Sequence, residues 1–273
     1  MRFKIFAIGA LLLTLLPPAL FSQSKTTVKE FIEAGTAEMD AKRLAPALAI
    51  FERCLAEYKP APSECSFRRA IILLASPERR NEAVTDLETI ALNQPDDLNV
   101  HYALGRGYVT LLKYRESIRP FSRVIELGPR FKNAYVSRAT SYYHIGQLNE
   151  AISDISVVIG LDPKDAKAFD LRGTFHASRF DWIKAMPDFT KAIELDPSLA
   201  MPLVSRANIY ALQGKYPLAL TDVTKAISID PKMDIAFKSR AAILCNTGKK
   251  DLANADEKKV IELGGKVEQP CIY

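Results

Sequence analysis

Glycine is scarce in this chain, 12 residues in 273, too few for the many tight turns of an all-β sandwich. No run of five or more like charges and no low-complexity tract occurs, so neither a charged interaction tail nor a disordered segment is indicated. Only three histidines are present, His101, His144 and His176, and no cysteine or second carboxylate accompanies His144 at metal-ligand or triad spacing. There is no C-x-x-C, phosphate loop, dinucleotide fingerprint, G-x-S-x-G or H-E-x-x-H. Nothing in the sequence therefore points to catalysis, to a redox or structural zinc site, or to a cofactor.

What is present can bury a core: hydrophobic residues make up 48% and charged residues 25%. The formal net charge is +5. The first two dozen residues read as a signal peptide, 1–24. Arg2 and Lys4 open it, Ile5 to Leu16 is almost purely apolar, Pro17 and Pro18 stop any helix, and Ser22-Gln23-Ser24 supplies small residues. The apolar stretch is shorter than the roughly 20 residues a spanning helix needs, which favours a signal over an uncleaved anchor. No second candidate span follows. Without Arg2 and Lys4 the net charge falls from +5 to +3, too small and scattered for a nucleic-acid surface. The expected location is secreted or periplasmic.

Four cysteines fit an oxidising compartment. The first is Cys54, too far from the apolar stretch for a lipoprotein junction. Cys54 and Cys65 flank the turn Lys59-Pro60-Ala61-Pro62 and are expected to bridge, the alternative being that Cys54 is a small buried apolar residue. Cys245 and Cys271 form a second candidate pair that would tie down a C-terminal tail, 268–273.

The dominant signal is a period. Pro95, Pro129, Pro163, Pro197 and Pro231 each stand 34 residues after the last. Three of them close near-identical strings, Leu161-Asp162-Pro163, Leu195-Asp196-Pro197 and Ile229-Asp230-Pro231. A stride of this length implies stacked supersecondary units. Each unit reads as two helices. Tyr135, Ala139 and Tyr142 share a face of one first helix, and Phe169, Gly173, His176 and then Leu203, Ala207, Tyr210 repeat it. The middle slot is always small: Gly105, Ala139, Gly173, Ala207, Ala241. Gly146, Gly214 or Gly248 ends the first helix. The second helix carries Ala151, Ile155, Val158, or Ala185, Phe189, Ala192, or Ala219, Val223, Ala226.

These triplets with their closing proline resemble the tetratricopeptide repeat family. The resemblance covers units 28–61, 64–97, 98–131, 132–165, 166–199, 200–233 and 234–267. The departures are Lys59 at the first closing slot, Pro77 in an inter-helix turn, and Glu257 in place of an aromatic, which suits an end cap with a polar outer face. The resemblance implies an all-α fold, a right-handed superhelical α-solenoid of about seven helix-turn-helix repeats. A second register accompanies it. Arg138, Arg172, Arg206 and Arg240 are each followed sixteen residues later by Asp154, Asp188, Asp222 and Asp256. An ion pair at each first-helix/second-helix boundary is expected, within a unit or between neighbours. An arginine ladder for an acidic ligand is the alternative, and the matched acids weigh against it.

In this family the first helices line a concave groove that takes an extended peptide or a helix. That places Asn99, Tyr102, Arg106, Asn133, Thr140, Tyr143, Lys167, Asp170, Asn208 and Lys238 toward a partner. Asparagine offers donor and acceptor to a ligand backbone, and tyrosine offers flat contact area. Asn208 followed by Lys238 is a fragment of the pattern by which some members clamp a C-terminal carboxylate, but the other partners of that pattern are missing. His101 and His176 fall in core slots, and His144 falls near the groove. The expected function is a non-catalytic scaffold or adaptor for a protein or peptide ligand. The alternative is an accessory or carrier subunit for an exported enzyme acting on envelope or glycan polymers.

Overall fold

The computed structural model describes residues 26–267; the expected signal segment, and Cys271 with the tail, lie outside them. The described chain is all-helical, and it divides into two compact units, the first ending at Leu127 and the second beginning at Gly128. The first unit holds α1 (Val28–Asp40), α2 (Leu44–Glu57), α3 (Ser63–Leu73), a 3-10 turn over Pro77–Arg79, α4 (Arg80–Asn93), α5 (Leu98–Thr110) and α6 (Tyr114–Leu127). The second holds α7 (Lys132–His144), α8 (Leu148–Leu161), α9 (Ala166–Ser178), α10 (Trp182–Leu195), α11 (Ala200–Leu212), α12 (Tyr216–Ile229), α13 (Asp234–Asn246) and α14 (Lys250–Glu262). Among the described residues no helix is long and apolar enough to cross a membrane.

Local chemistry sets the boundaries. Thr27 and Glu30 form a reciprocal capping box at the start of α1, each satisfying a free backbone N–H of the other. Asp97, Asp165 and Asp181 accept backbone N–H bonds at the starts of α5, α9 and α10. The recurring Asp-Pro string has a mechanism as well. Proline pushes the preceding residue out of helical geometry, and Asp162, Asp196 and Asp230 close their helices with extended backbone. Each of these carboxylates then accepts the N–H two residues on, from Lys164 at 3.2 Å, Ser198 at 3.0 Å and Lys232 at 2.9 Å. The result is the Asx turn that starts the next hairpin.

Within each unit every helix packs on the next, and first helices also touch first helices, as α11 does with α9 and α13. The core runs along the seam. In the first unit Phe31, Phe51, Cys54, Cys65 and Ile72 form one cluster, and Leu73, Ala83, Leu87 and Leu104 another. In the second unit Leu203, Val204, Ala207, Val223, Ala226 and Ile243 form the largest. The small slot of the first helix is matched to its partner: a Cβ added at Gly35, Gly105 or Gly173 would come within 2.3, 2.6 or 2.8 Å of Phe51, Phe121 or Phe189. Where alanine replaces glycine, at Ala139 and Ala207, the residue sixteen positions on is the smaller Ile155 or Val223. Cys54 and Cys65 are joined, with Cα atoms 6.5 Å apart, tying α2 to α3. Cys245 is also disulfide-bonded.

Candidate functional site

Each arginine of the second register reaches its aspartate inside one hairpin, through two roughly parallel bonds. Arg138 Nε and Nη2 donate to Asp154 at 2.8 and 2.7 Å, and Arg240 donates to Asp256 at 2.7 and 2.7 Å. Arg172–Asp188 and Arg206–Asp222 repeat the geometry at 2.7–2.9 Å. The four aspartates are buried, so each carboxylate depends on its guanidinium. The hydrogen bond to the aspartate is also what raises each arginine's pKa above its ordinary value. Two of the arginines reach further, Arg172 to Ser156 Oγ at 3.4 Å and Arg206 to Thr190 Oγ1 at 3.1 Å, each on the preceding second helix. The pair is therefore a rivet through one hairpin that also links it to the hairpin before.

The structure adds a fifth pair that the sixteen-residue rule missed. Arg69 binds Asp86 at 2.6–2.9 Å across seventeen residues, because the 3-10 turn at Pro77 lengthens the connection between α3 and α4. The hairpin α5–α6 has no such pair. Leu104 and Pro120 stand sixteen apart at that register and both are buried, an apolar substitute of the kind that replaces ion pairs without loss.

The expected groove residues fall on five first helices. Asn99, Tyr102 and Arg106 lie on α5 in the first unit. In the second unit α7 carries Asn133, Thr140 and Tyr143, α9 carries Lys167 and Asp170, and α11 and α13 carry Asn208 and Lys238. Asn99, Arg106, Asn133, Lys167 and Asn208 are exposed. The others are engaged to different degrees. Tyr102 leans on the core ring of Phe121, centroids 5.9 Å apart, and Thr140 donates to Val136 O of its own helix. Lys238 pairs with Asp234 at 3.1 Å. Tyr143 lies flat on Phe175 of the next hairpin, centroids 5.0 Å apart and 24° from parallel.

Asp170 stands apart from all of these. Its Oδ1 is buried without a hydrogen-bond partner, and burial pushes its pKa up to about 6 with no charged neighbour contributing. The histidines differ as well. His176 is buried on α9, and burial holds its pKa below the usual value. His101 Nε2 lies 3.0 Å from Pro95 O, and His144 is exposed beside the ring of Tyr143. Among the described residues no group of three or more His, Cys, Asp or Glu side chains is placed to hold a metal ion.

Comparison with known proteins agrees with this architecture. A family model described as a tetratricopeptide repeat matches residues 102–166. A tetratricopeptide repeat protein from Parabacteroides merdae superposes with a TM-score of 0.71, at 17% identity over 88% of this chain and 94% of that one. The chain has a tetratricopeptide repeat fold, and residues 102–166 match the family itself. MamA from Desulfovibrio magneticus RS-1 is similar over 64% of this chain and 98% of its own, at 20% identity and a TM-score of 0.58. MamA of MSR-1 is similar over 61% and 95%, at 23% identity and a TM-score of 0.55. No curated protein matches the sequence. At these identities the likeness is one of fold.

The tetratricopeptide hairpins carry one more feature, at their tips. At the turn between first and second helix, glycines 146, 214 and 248 adopt positive φ, as do Leu112 and Phe180 at the equivalent place, with φ of 58° and 59°. A bulky residue where its sister turns use glycine is legible in the sequence; its exposure is not.

Proposed function

We propose that the chain is an exported, non-catalytic scaffold whose first-helix face in the second unit holds an extended segment of a protein partner. In this reading Asp170 receives a basic side chain of that segment. The observation that carries it is the carboxylate itself. A half-buried acid without a counter-charge is costly in the free protein, and an arriving ammonium or guanidinium removes that cost while adding a charge-assisted bond. Tyr143, held flat by Phe175, offers a ring for the same cation or for an apolar neighbour. Asn133 and Asn208 are exposed on flanking helices and suit pairing with a ligand backbone. The apolar leader at 5–16 supports export, as does an even number of cysteines.

The test is a display library of extended peptides panned against the full chain and its Asp170→Asn variant. Selected sequences should be enriched in lysine or arginine at one fixed position, and the enrichment should vanish in the variant. Peptides with no basic preference, or an unchanged preference in the variant, would overturn the reading. Export is checked separately, by fractionating cells and measuring the mass of the non-reduced chain.

A further inference from the structure

The second unit has a polarity along its helices that the groove does not use. All of its first helices run the same way, so the α7–α8, α9–α10, α11–α12 and α13–α14 turns meet at one end. Three of those turns present large apolar side chains to solvent. Phe180 is 77% exposed and Ile183 89%, followed by Leu212 at 72%, Leu218 at 50% and Leu252 at 57%. Cations are interleaved with them: Arg179, Lys184, Lys215, Lys249 and Lys250 are all exposed. The acids at this end are Glu150, Asp181 and Asp251, and Asp181 is already engaged, capping α10 and lying 3.6 Å from Lys184 Nζ. The opposite end is built on the Asp-Pro turns and carries Asp162, Asp196 and Asp230.

We propose that this end of the second unit is a docking surface for an anionic lipid bilayer. Three physical features favour a bilayer over a folded acidic protein. The apolar groups stand at the tips of separate convex turns, a shape that a fluid interface accommodates and a rigid partner must match pocket by pocket. Exposed Phe, Leu and Ile set among Lys and Arg is the composition of surfaces that sit in the headgroup layer. Trp182 lies edge-on to Phe180, ring centroids 5.6 Å apart, while packing with Ala185, Phe189 and Ile209. It therefore couples the tip to the core at the depth where indole rings are favoured. Phe180 also holds a positive φ where three sister turns have glycine, so the aromatic is kept against local backbone preference.

Trp182 is the only tryptophan in the chain, and its emission reports on this turn whatever the N-terminal segment does. The full chain is titrated with vesicles of phosphatidylcholine alone and of phosphatidylcholine mixed with phosphatidylglycerol. The mixed vesicles should shift Trp182 emission to the blue and protect it from acrylamide, an effect that neutral vesicles lack and that high salt reverses. The double variant Phe180→Gly/Ile183→Ser should weaken the response by roughly tenfold or more. Glycine suits the backbone at 180, and circular dichroism confirms that the variant is folded. Lys249→Glu/Lys250→Glu should weaken it too. The proposal is overturned by emission that ignores anionic vesicles, by vesicle binding that leaves Trp182 unchanged, or by a response indifferent to both variants. It stands or falls separately from the peptide selection, which reads a different face.

Discussion

Asp170 is a carboxylate whose buried Oδ1 finds no hydrogen-bond partner in its hairpin. Its pKa of about 6 lies above the ordinary aspartate value of 3.8 because burial penalises the charged form. The folded state therefore binds its proton more tightly than the unfolded chain does. The stabilising contribution is fully present below the unfolded pKa and is lost as pH rises through about 6. Asp170→Asn should thus raise stability at pH 7 by about 1 to 2 kcal/mol after discounting for partial solvent screening. It should also flatten the pH dependence between the two pKa values. Urea melts of both proteins at acid and neutral pH check this; an Asn variant no more stable at pH 7 rejects the uncompensated carboxylate. Gly173 makes the complementary point about volume. A methyl there would sit 2.8 Å from Phe189, so Gly173→Ala should cost about 1 to 3 kcal/mol through overpacking. Adding Phe189→Ile, the combination found at Ala139 and Ile155, should recover much of the loss in thermal melts.

At the scale of the hairpin, the arginine–aspartate rivet joins the two helices of one unit. Asp222 is nearly enclosed, with its side chain 10% exposed, and removing it would leave Arg206 with Thr190 and the ring of Tyr210 as remaining partners. Asp222→Ala should cost about 3 kcal/mol, and the pair replacement Arg206→Met/Asp222→Leu should cost less. The α5–α6 hairpin already manages with Leu104 and Pro120 in those places. Chemical denaturation of the two singles and the double gives the coupling energy, and a value of zero would rule out a shared role. Most of this level was readable beforehand. The small slot, the closing proline and four of the pairs recur at fixed separations within one hairpin. Arg69–Asp86 escaped notice because a single extra residue in the 3-10 turn changes the spacing without changing the contact.

For the molecule as a whole, stability in a repeat array is summed from hairpins and their nearest-neighbour contacts, so damage should stay local. The Cys54–Cys65 bridge closes a separation of 11 residues, for which the chain-entropy argument gives about 3 kcal/mol. In a Cys54→Ser/Cys65→Ser variant, which leaves the bond of Cys245 on α13 intact, amide hydrogen exchange should accelerate in α1–α3 while protection in α9–α14 is retained. Uniform loss of protection along the chain would show that the array unfolds as one cooperative body instead.

The sequence by itself determined the two-helix unit, its stride, the size matching across each hairpin and the partners of most buried charges. These are local contacts, made between residues about sixteen apart whose relative position is fixed once both helices form. Only the tertiary structure decided that Tyr102 leans into the core, that Lys238 is taken by Asp234 and that Asp170 is left without a partner. It also decided that Phe180 and Ile183 stand in solvent among lysines from three turns. Exposure and pairing of that kind depend on which neighbouring hairpin covers a side chain, and helical periodicity carries no information about the surface of the next unit.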